Sequence, residues 1–463
     1  MRDDTIPQTV LFPDLCNKPL IATFDQPHAS SDGGAVLLKA ANARYGRDGL
    51  IEGFARCLVD DRQPGKVRHV LADLLAQRIF GLACGHPDGN DADRLADDPI
   101  HKLLLGRDPI VGDALASQPT ISRFENQVGV QELYAMGCDL ADSVVERHRE
   151  RLHGRARRIT IDLDPTDDPT HGAQQLTFFN GHYDSWCYLP LLAFLTFNDE
   201  REQYLCAALL RPGSATATLG ALGLLRRLLP LLRLTFPKAR FLVRLDGGFA
   251  APEIFEFLDA EAGLDYVVAM GENAVLARGA AAAMVDARAQ SAASEQTAHV
   301  YTDVQYAAGT WRHHERRVVI KAEVVRLAGR EPRDNARYVV TNLRQTPRFI
   351  YEQVYCARGD IENRIKELHD GLQLGRTSCC RFWANQLRVL LTAAAYVLMQ
   401  ELRLRAARTV YRRTQVTGLR ERLLKLGAHV VVSTRRIVLH LPTSTPGLDA
   451  WRAIALALGA RTG

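Results

Sequence analysis

Residues 157–168 read RRITIDLDPTDD, and this stretch decides the fold class. Isoleucine and leucine alternate with polar residues, which predicts a β-strand with Asp162 and Asp164 on the same face. Pro165 ends the alternation, so Asp164 stands at the carboxyl end of the predicted strand. An aspartate in that place either starts a turn or is available to a ligand.

Four further strands and two helices are predicted after this strand. The strands are the apolar runs CYLPLLAFLTF, REQYLCAALL, ARFLVRLDGGF and LDYVVAM. The helices cover residues 215–233 and the stretch PEIFEFLDAEAG, which has Pro252 in its first turn and Gly263 as its stop. Three strands followed by alternating helices and strands predict an α/β fold with a mixed five-stranded sheet.

The length of 463 residues favours two or three structural units, and the sequence pattern divides the chain into four regions. Residues 1–155 are predicted to be mostly helical. Residues 156–270 and 337–402 form the α/β core. Residues 271–336 interrupt this core with alanine-rich and then strand-like patterns, which predicts a β-rich insertion. Residues 403–463 form a basic C-terminal region.

Composition excludes several classes of protein. Hydrophobic residues make up 47% and charged residues 24% of the chain, as in soluble globular proteins. The nine cysteines are odd in number and form no CxxC pair, which argues against a disulfide framework and a zinc ribbon. The N-terminus lacks a signal-peptide core, and the apolar run at residues 389–399 is too short to span a bilayer. We therefore expect a cytoplasmic protein, and its net charge of +5 permits a polyanionic partner.

The stretch DALASQPTISRFENQV contains a turn and then a short helix, with Thr120, Ser122 and Arg123 near the start of that helix. Such a helix could enter a groove of DNA. A packed helix with polar residues near its N-terminus explains the same pattern, and it is the more frequent case because helix–turn–helix matches in one sequence are weak.

Three carboxylates fall where a fold of this class can gather them. Asp164 and Asp246 stand at the ends of the first and fourth predicted strands, and Glu362 lies on a later helix. Ligands of open α/β sheets bind beyond the carboxyl ends of the strands. Converging carboxylates repel one another unless a cation joins them, and oxygen ligands suit Mg²⁺ or Mn²⁺. Two such ions can activate a water or a 3′-hydroxyl for attack on a phosphodiester.

Each of these carboxylates also has a structural interpretation. Aspartates at strand ends are common turn residues, so any one of them taken alone is more often structural than catalytic. Asp162 competes with Asp164 for the role of first metal ligand because the two share a face. The strand-end position, which a ligand can reach, favours Asp164.

The helix that carries Glu362 has an organised polar side. In the stretch YCARGDIENRIKELHDGL, polar residues follow one another at intervals of three or four: Tyr355, Arg358, Glu362, Lys366 and His369. At about 100° per residue they share one side of a helix. That side is either a solvated face with i,i+4 ion pairs or a metal-binding glutamate flanked by groups that hold phosphates.

These motifs resemble those of the DDE transposases of bacterial insertion sequences, in the cut-and-paste group with a Tyr-Arg-Glu-Lys signature, transposase DDE domain group 1. Tyr355, Arg358 and Glu362 match that signature in identity and spacing, whereas the fourth position holds His369 in place of lysine. DLDPTDDPTHGAQQ with FNGHYDSWCYLPL resembles the family's first aspartate region, and RLDGGFAAPEIFEFL resembles its second. The motifs occur in the family's order over roughly residues 10–440.

The resemblance implies an RNase H-like core with a β-rich insertion. It also implies Mg²⁺-dependent cleavage of DNA at the ends of an insertion sequence, followed by strand transfer into target DNA. Asp164, Asp246 and Glu362 would hold two Mg²⁺ ions, for which Mn²⁺ can substitute, and Asp162 is the less favoured alternative ligand. The phosphate-binding residues would be Tyr355, Arg358, Lys366 and His369.

Relatives often flip a base onto an aromatic side chain. Trp311, in the predicted insertion near Arg316 and Arg317, is the candidate for this role and the two arginines for DNA contact. A tryptophan that packs a small β unit explains Trp311 equally well. Arg312 and His313 add to the basic character of the same stretch.

The resemblance also implies the partners. They would be double-stranded DNA, as target and as terminal inverted repeats that the helical region of residues 1–155 would bind, and a second copy of the chain in a synaptic homodimer, with no membrane. The location would be the bacterial cytoplasm, in association with the nucleoid. Two alternatives remain open: a DNA-binding relative without catalysis, and an RNase H-like nuclease that performs no strand transfer.

Overall fold

A computed structural model describes residues 10–311 and 314–462, and a sheet of eight strands lies at its centre. In chain order the strands are β1 (Arg158–Pro165), β2 (Leu191–Phe197), β3 (Tyr204–Leu209), β4 (Arg240–Leu245), β5 (Leu264–Met270), β6 (Ala298–Tyr306), β7 (Arg316–Val325) and β8 (Arg333–Thr341). The strand predicted from the alternation around Asp164 is confirmed as β1.

Across the sheet the strands follow the order β6-β7-β8-β5-β4-β1-β2-β3. Strands β1, β4 and β5 run parallel, and the other neighbouring pairs are antiparallel. Asp162 of β1 is in register with Arg244 of β4, so Asp164 and Asp246, each two residues further on, leave the sheet at the same edge. The α/β class with a mixed sheet is thereby confirmed.

The five predicted strands are present as β1 to β5, but the sheet contains eight because three later strands extend it. The predicted insertion starts with the helix Ala274–Ser294, and its strands extend the central sheet because β8 pairs with β5. Strand β8 also runs through residue 336, where the insertion was predicted to end. An edge strand leaves N–H and C=O groups unpaired, and β8 supplies partners for those of β5.

Helices dominate the chain before β1. They are Val36–Asn42, Leu50–Arg56, Leu71–Cys84, Asp91–Leu95, Pro99–Leu104, Gln118–Gln127 and Val130–Leu152. The third of these lies within residues 66–85, where apolar residues recur at the three- and four-residue spacing of an amphipathic helix. Gly85 ends that helix with φ at 90°, a left-handed conformation that glycine adopts without steric cost.

Three helices after β3 complete the central layers: Ala221–Thr235, Pro252–Ala260 and Phe382–Arg405. The last packs on the N-terminal helices and on β3, and its side chains are buried along almost its whole length. It accommodates charge by pairing, since Arg147 donates to Glu401 at 2.8 Å in the interior. In the parts of the chain that the structure describes, no helix combines the length and apolar character needed to cross a membrane.

A helical segment from residue 347 to residue 371 carries Glu362, and its turns are irregular. In order they are the α turn Pro347–Phe349, the wide π turns Ile350–Tyr355, the tight 3₁₀ turn Cys356–Gly359, the α-helix Asp360–Lys366 and the π turn Glu367–Gly371. Wide turns inside helices are frequent at functional sites. They also change which side chains share a face.

Short strands form three further sheets among the described residues. Val10–Phe12 pairs with Leu20–Ala22; Ser185–Tyr188 pairs with Asp168–Pro169 and Phe178–Asn180; Ala428–Val432 pairs with Ala29–Ser30 and Ile437–His440. The second of these sheets directly follows Asp164, and the third joins the N-terminal part of the chain to its C-terminal part. The C-terminal region also contains the helices Val416–Leu419 and Leu448–Ala457.

Candidate active site

A single guanidinium joins the two strand-end aspartates. Arg358 donates from Nη2 to Asp164 Oδ1 at 2.7 Å, and the same nitrogen lies 3.5 Å from Asp246 Oδ2. The arginine side chain is only 11% exposed. Folding therefore brings together three of the predicted site residues, from two neighbouring strands and the late helical segment.

The two carboxylate oxygens of Asp246 have different partners, one in the following turn and one in the pocket. Its Oδ1 accepts a hydrogen bond from Gly248 N at 2.8 Å and caps the turn Gly247–Phe249. A Cβ at residue 248 would come within 2.9 Å of Ala217 and 3.1 Å of Asp246 Oδ1, so this close approach requires glycine. Oδ2 is left directed at Arg358. The turn role of a strand-end aspartate and a role in a site are thus compatible here.

Burial and neighbouring charges raise the pKa of Asp164 from 3.8 to about 7. Removal of the carboxyl from water is the largest cause. Arg358 lowers the pKa, whereas Asp246 and Glu362 raise it, as nearby negative charges do. The ionised form of Asp164 therefore has less positive charge around it than its burial requires, and a bound cation would supply it.

Glu362 lies beside this pocket on the first turn of Asp360–Lys366. The neighbouring Ile361 is fully buried and fixes that turn against the core, while the Glu362 side chain is exposed. Its negative charge is the smallest of the causes that raise the pKa of Asp164. An exposed glutamate beside two partly enclosed aspartates can approach a shared ligand from the solvent side.

Asp162 lies in a different environment from Asp164, although both side chains point to the same face of β1. It has no exposed surface, and Arg244 donates to its two carboxylate oxygens at 2.8 and 2.7 Å. Gln203 adds a third hydrogen bond at 3.1 Å. Arg244 also donates to Val354 O at 3.1 Å, so this ion pair anchors the helical segment to the sheet.

The other polar residues of the helical segment differ in burial and in the groups that they contact. Tyr355 is half-buried against Tyr351, with ring centroids 5.5 Å apart, and burial raises the pKa of its hydroxyl. His369 Nε2 lies 2.9 Å from Thr166 Oγ1, and burial lowers the pKa of this imidazole, which favours its neutral form. Lys366 is exposed, four residues after Glu362.

Trp311 lies in the interior. It is 5% exposed and packs edge-on against Phe255 and Tyr306, with ring centroids 5.1 and 5.3 Å away. This geometry favours the packing interpretation of Trp311 over base stacking. Arg312 and His313, which follow it in the sequence, lie outside the described residues.

Both arginines of β7 that were predicted to contact DNA form ion pairs within the protein. Arg316 is buried and pairs with Asp259 at 2.7 Å. Arg317 pairs with Asp303 at 2.6 Å and donates to Leu343 O at 2.7 Å. Their guanidinium groups therefore hold the sheet extension together in this conformation.

A hairpin that was not predicted from the sequence follows β1 in the chain. Its strands, Phe178–Asn180 and Ser185–Tyr188, come between β1 and β2 in the sequence and pair with each other outside the central sheet. Burial raises the pKa of the Tyr183 hydroxyl in its turn, and the negative charges of Asp167, Asp164 and Asp246 raise it further. The hairpin exposes three rings, those of Phe178, Phe179 and Trp186, at 42%, 52% and 59%. The aromatic run FFNGHYDSWCY was the signal that could have revealed it.

The predicted recognition helix, Gln118–Gln127, borders a basic cavity. The cavity has a volume of about 920 Å³, and Thr120 and Arg123 line it together with the basic side chains Arg62, Lys66 and Arg68 and the acidic side chains Asp93 and Asp97. Ile121 and Phe124 are buried beneath, so the helix packs with one face and presents the other. One face of the helix is thus packed, as the structural interpretation expects, and the other borders the cavity.

The matched motifs and the pocket agree with a known family. A family model described as transposase DDE domain group 1 matches residues 12–460. The chain belongs to this family of DDE transposases. A comparison with curated proteins gave no match. The resemblance to the DDE transposases is therefore confirmed at the level of the family, and transposition is the form of DNA recombination in which this transposase takes part.

Proposed function

We propose that this transposase is an active enzyme that hydrolyses phosphodiester bonds at the ends of an insertion sequence and joins the cleaved ends to target DNA. The observation that carries the proposal is the meeting of Asp164 and Asp246 at Arg358, with Glu362 close enough to act on Asp164. Acidic residues that are distant in the chain and gathered in one pocket are typical of metal-dependent phosphoryl transfer.

An RNase H-like core is part of this proposal. The strand order β3-β2-β1-β4-β5, in which the first strand is central, supports it. So does the change from antiparallel pairing on one side of β1 to parallel pairing on the other. This order places the ends of β1 and β4 next to each other, where a ligand of an open sheet binds.

The residues of the pocket fit Mg²⁺. Asp164, Asp246 and Glu362 offer carboxylate oxygens, which are the ligands that hard divalent cations prefer. Arg358 already places positive charge between two of them, and the raised pKa of Asp164 indicates that the pocket favours more. These three carboxylates would hold two Mg²⁺ or Mn²⁺ ions, which would stabilise charge on the phosphodiester and help to ionise the attacking hydroxyl.

The remaining residues of the helical segment would position DNA. Arg358 pairs with the aspartates in the protein alone and would turn its guanidinium to a phosphate, for which its planar fork is suited. Lys366 would bind a phosphate as an exposed point charge. Tyr355 and the neutral His369 would orient the same backbone through hydrogen bonds. The buried Asp162–Arg244 pair would keep this segment at the correct distance from β1.

Two surfaces would bind the rest of the DNA. The basic cavity beside Gln118–Gln127 offers Lys66, Arg68 and Arg123 to phosphates of a terminal repeat. The exposed rings of the hairpin, in place of the buried Trp311, would stack on unpaired bases near the cleavage site. Arg316 and Arg317 would support the sheet and make no direct contact with DNA in this conformation.

The proposal includes a synaptic homodimer in the bacterial cytoplasm, associated with the nucleoid. A DNA-binding relative without catalysis is the second candidate, and the complete carboxylate set argues against it. A nuclease without strand transfer is the third, and the helical segment with its signature residues argues for the transposase. Each alternative predicts a different product, so one assay separates them.

The test uses a labelled DNA that carries the ends of the element, a second DNA as target, and Mg²⁺. We expect cleavage at the ends and joining to the target by the unaltered protein, and neither by Asp246→Asn or Glu362→Gln. Asp360→Asn, an exposed carboxylate on the same helix turn as Glu362, is the matched control and should retain both steps. Cleavage without joining would identify a nuclease, and binding without cleavage an inactive relative.

A further inference from the structure

A second group of metal-ligating side chains lies outside the proposed active site. Asp32 Oδ2 is 2.9 Å from His86 Nε2 and 2.9 Å from His101 Nε2. One ligand atom from each of the three residues lies within 4.8 Å of the other two. The group combines two imidazoles with one carboxylate, whereas the proposed active site offers oxygen ligands alone.

The three side chains come from separate segments and are held in place by burial. Asp32 precedes the turn Gly33–Ala35, His86 follows the helix that ends at Gly85, and His101 lies in the helix Pro99–Leu104. Asp32 and His101 are 1% and 0% exposed, and His86 is 24% exposed. The site is therefore enclosed on two sides and open to solvent beside His86.

Hydrogen bonds alone do not satisfy this group. His86 Nε2 lies 2.9 Å from Asp32 Oδ2 and 3.3 Å from the ammonium of Lys425. A protonated Nε2 donates to the carboxylate but then opposes the N–H donors of the ammonium. An unprotonated Nε2 accepts from the ammonium but then opposes the lone pairs of the carboxylate. His101 Nδ1 is also buried, with no hydrogen-bond partner among residues 10–311 and 314–462.

A bound cation would remove the conflict at His86. Two imidazole nitrogens and a carboxylate oxygen would all direct lone pairs at one point, as in three-ligand zinc sites that keep a fourth position open. Sets of ligands that are rich in nitrogen bind Zn²⁺ and other first-row transition metals in preference to Mg²⁺. Lys425, which is 24% exposed and 2.7 Å from Asp32 Oδ1, supplies the positive charge in the protein alone and has solvent into which it can move.

We propose that Asp32, His86 and His101 form a binding site for one divalent transition-metal ion, with Zn²⁺ as the best fit, and that the ion displaces the ammonium of Lys425. The site lies at the junction of the N-terminal and C-terminal parts of the chain. Gly33 N donates to Leu426 O at 2.8 Å there. Metal binding therefore stabilises this junction and has no part in the chemistry of the carboxylate pocket.

The test measures Zn²⁺ bound at equilibrium to the full chain, by dialysis followed by elemental analysis. Compared with the unaltered protein, His101→Gln should bind one equivalent less. Lys425→Met should bind Zn²⁺ about tenfold more tightly or better, because the competing positive charge is gone. Equal stoichiometry for the unaltered protein and His101→Gln would overturn the site, and an unchanged affinity in Lys425→Met would overturn the displacement.

A second measurement does not depend on His101, which is fully buried. Zn²⁺ should raise the melting temperature of the unaltered protein, since a ligand that binds only the folded state stabilises it. The same addition should leave the melting temperature of His86→Gln unchanged, and Mg²⁺ at equal concentration should have no effect through this site. An equal Zn²⁺ shift in both proteins would overturn the proposal. No DNA is needed, so failure here is separate from failure of the transposase assay.

Discussion

Asp162 and Asp164 stand two residues apart on one face of β1, yet replacement of each by asparagine should change stability in opposite directions. Asp162 is fully buried and paired with Arg244 through both oxygens, at 2.8 and 2.7 Å. Asp162→Asn removes the compensating charge and leaves the guanidinium buried. Breaking a buried pair in this way costs about 3–5 kcal/mol of unfolding free energy.

Asp164→Asn should instead stabilise the protein above neutral pH. The pKa of Asp164 rises from 3.8 to about 7 on folding, and each unit is worth about 1.36 kcal/mol, so ionisation costs the folded state up to about 4 kcal/mol. A carboxyl whose pKa is raised on folding stabilises the folded state when the pH is below its pKa in the unfolded state. This stabilisation is lost as the pH rises through its pKa in the folded state. The gain from asparagine should therefore be close to zero near pH 4 and largest above pH 7.

The assay is urea unfolding followed by circular dichroism, without divalent metals, at about pH 5 and about pH 8. Each asparagine variant is compared with the unaltered protein at both values. Asp162→Asn should be less stable at both, while Asp164→Asn should gain stability on going from the lower to the higher pH relative to the unaltered protein. Equal destabilisation by the two substitutions at both pH values would refute the electrostatic distinction between them.

Three further substitutions test separate parts of the molecule. Trp186→Ala should weaken binding of single-stranded DNA by about 1–3 kcal/mol in fluorescence anisotropy, with a smaller effect on duplex; equal losses would contradict base stacking. Arg147→Met removes two hydrogen bonds from the buried Glu401, which keeps Arg405 as a cationic partner at 2.7 Å; the loss should be about 1.5–3 kcal/mol, seen as a lower melting temperature, and an unchanged value would contradict this. Arg123→Ala should reduce the slope of log affinity against log salt by about 0.9 if it binds one phosphate, and an unchanged slope would exclude that contact.

Local sequence patterns were sufficient for the elements on which the pocket depends. Alternation fixed β1 and placed Asp164 at its end, because side chains of a strand alternate between two faces. The turn after Asp246 was readable from the two glycines that follow it. The polar residues of the Glu362 segment recur at helical spacing, and the segment is helical, with Ile361 buried against the core.

Long-range pairing was the part that local patterns could not give. Strand β8 pairs with β5, and through this pairing three additional strands extend the sheet. No local sequence signal specifies which edge of a sheet a strand will pair with. The partner of Asp162, Arg244, is on another strand, so the sequence alone could not show that Asp162 is neutralised while Asp164 is not. Trp311 is buried for the same kind of reason, since Phe255 on a separate helix contributes to its packing.

The assumption of a regular helix also limited how well the positions of side chains could be predicted from the sequence. The sequence analysis placed the polar residues of the Glu362 segment on one side by assuming a uniform turn. The structure has a tight turn at Cys356–Gly359 and wide turns before and after it. Arg358 consequently points into the pocket while Lys366 remains exposed. Such irregular turns depend on how the segment docks, through contacts such as Arg244 with Val354 O.

Iron-mediated cleavage of the polypeptide tests most directly whether folding gathers the three carboxylates around one metal position. Fe²⁺ bound in place of Mg²⁺, with ascorbate and peroxide, cuts the backbone near the ion. We predict cuts next to Asp164, Asp246 and Glu362, all suppressed together by excess Mg²⁺. Cuts near the two aspartates with none in the helix Asp360–Lys366 would contradict a shared site and, with it, the proposed catalytic role of Glu362.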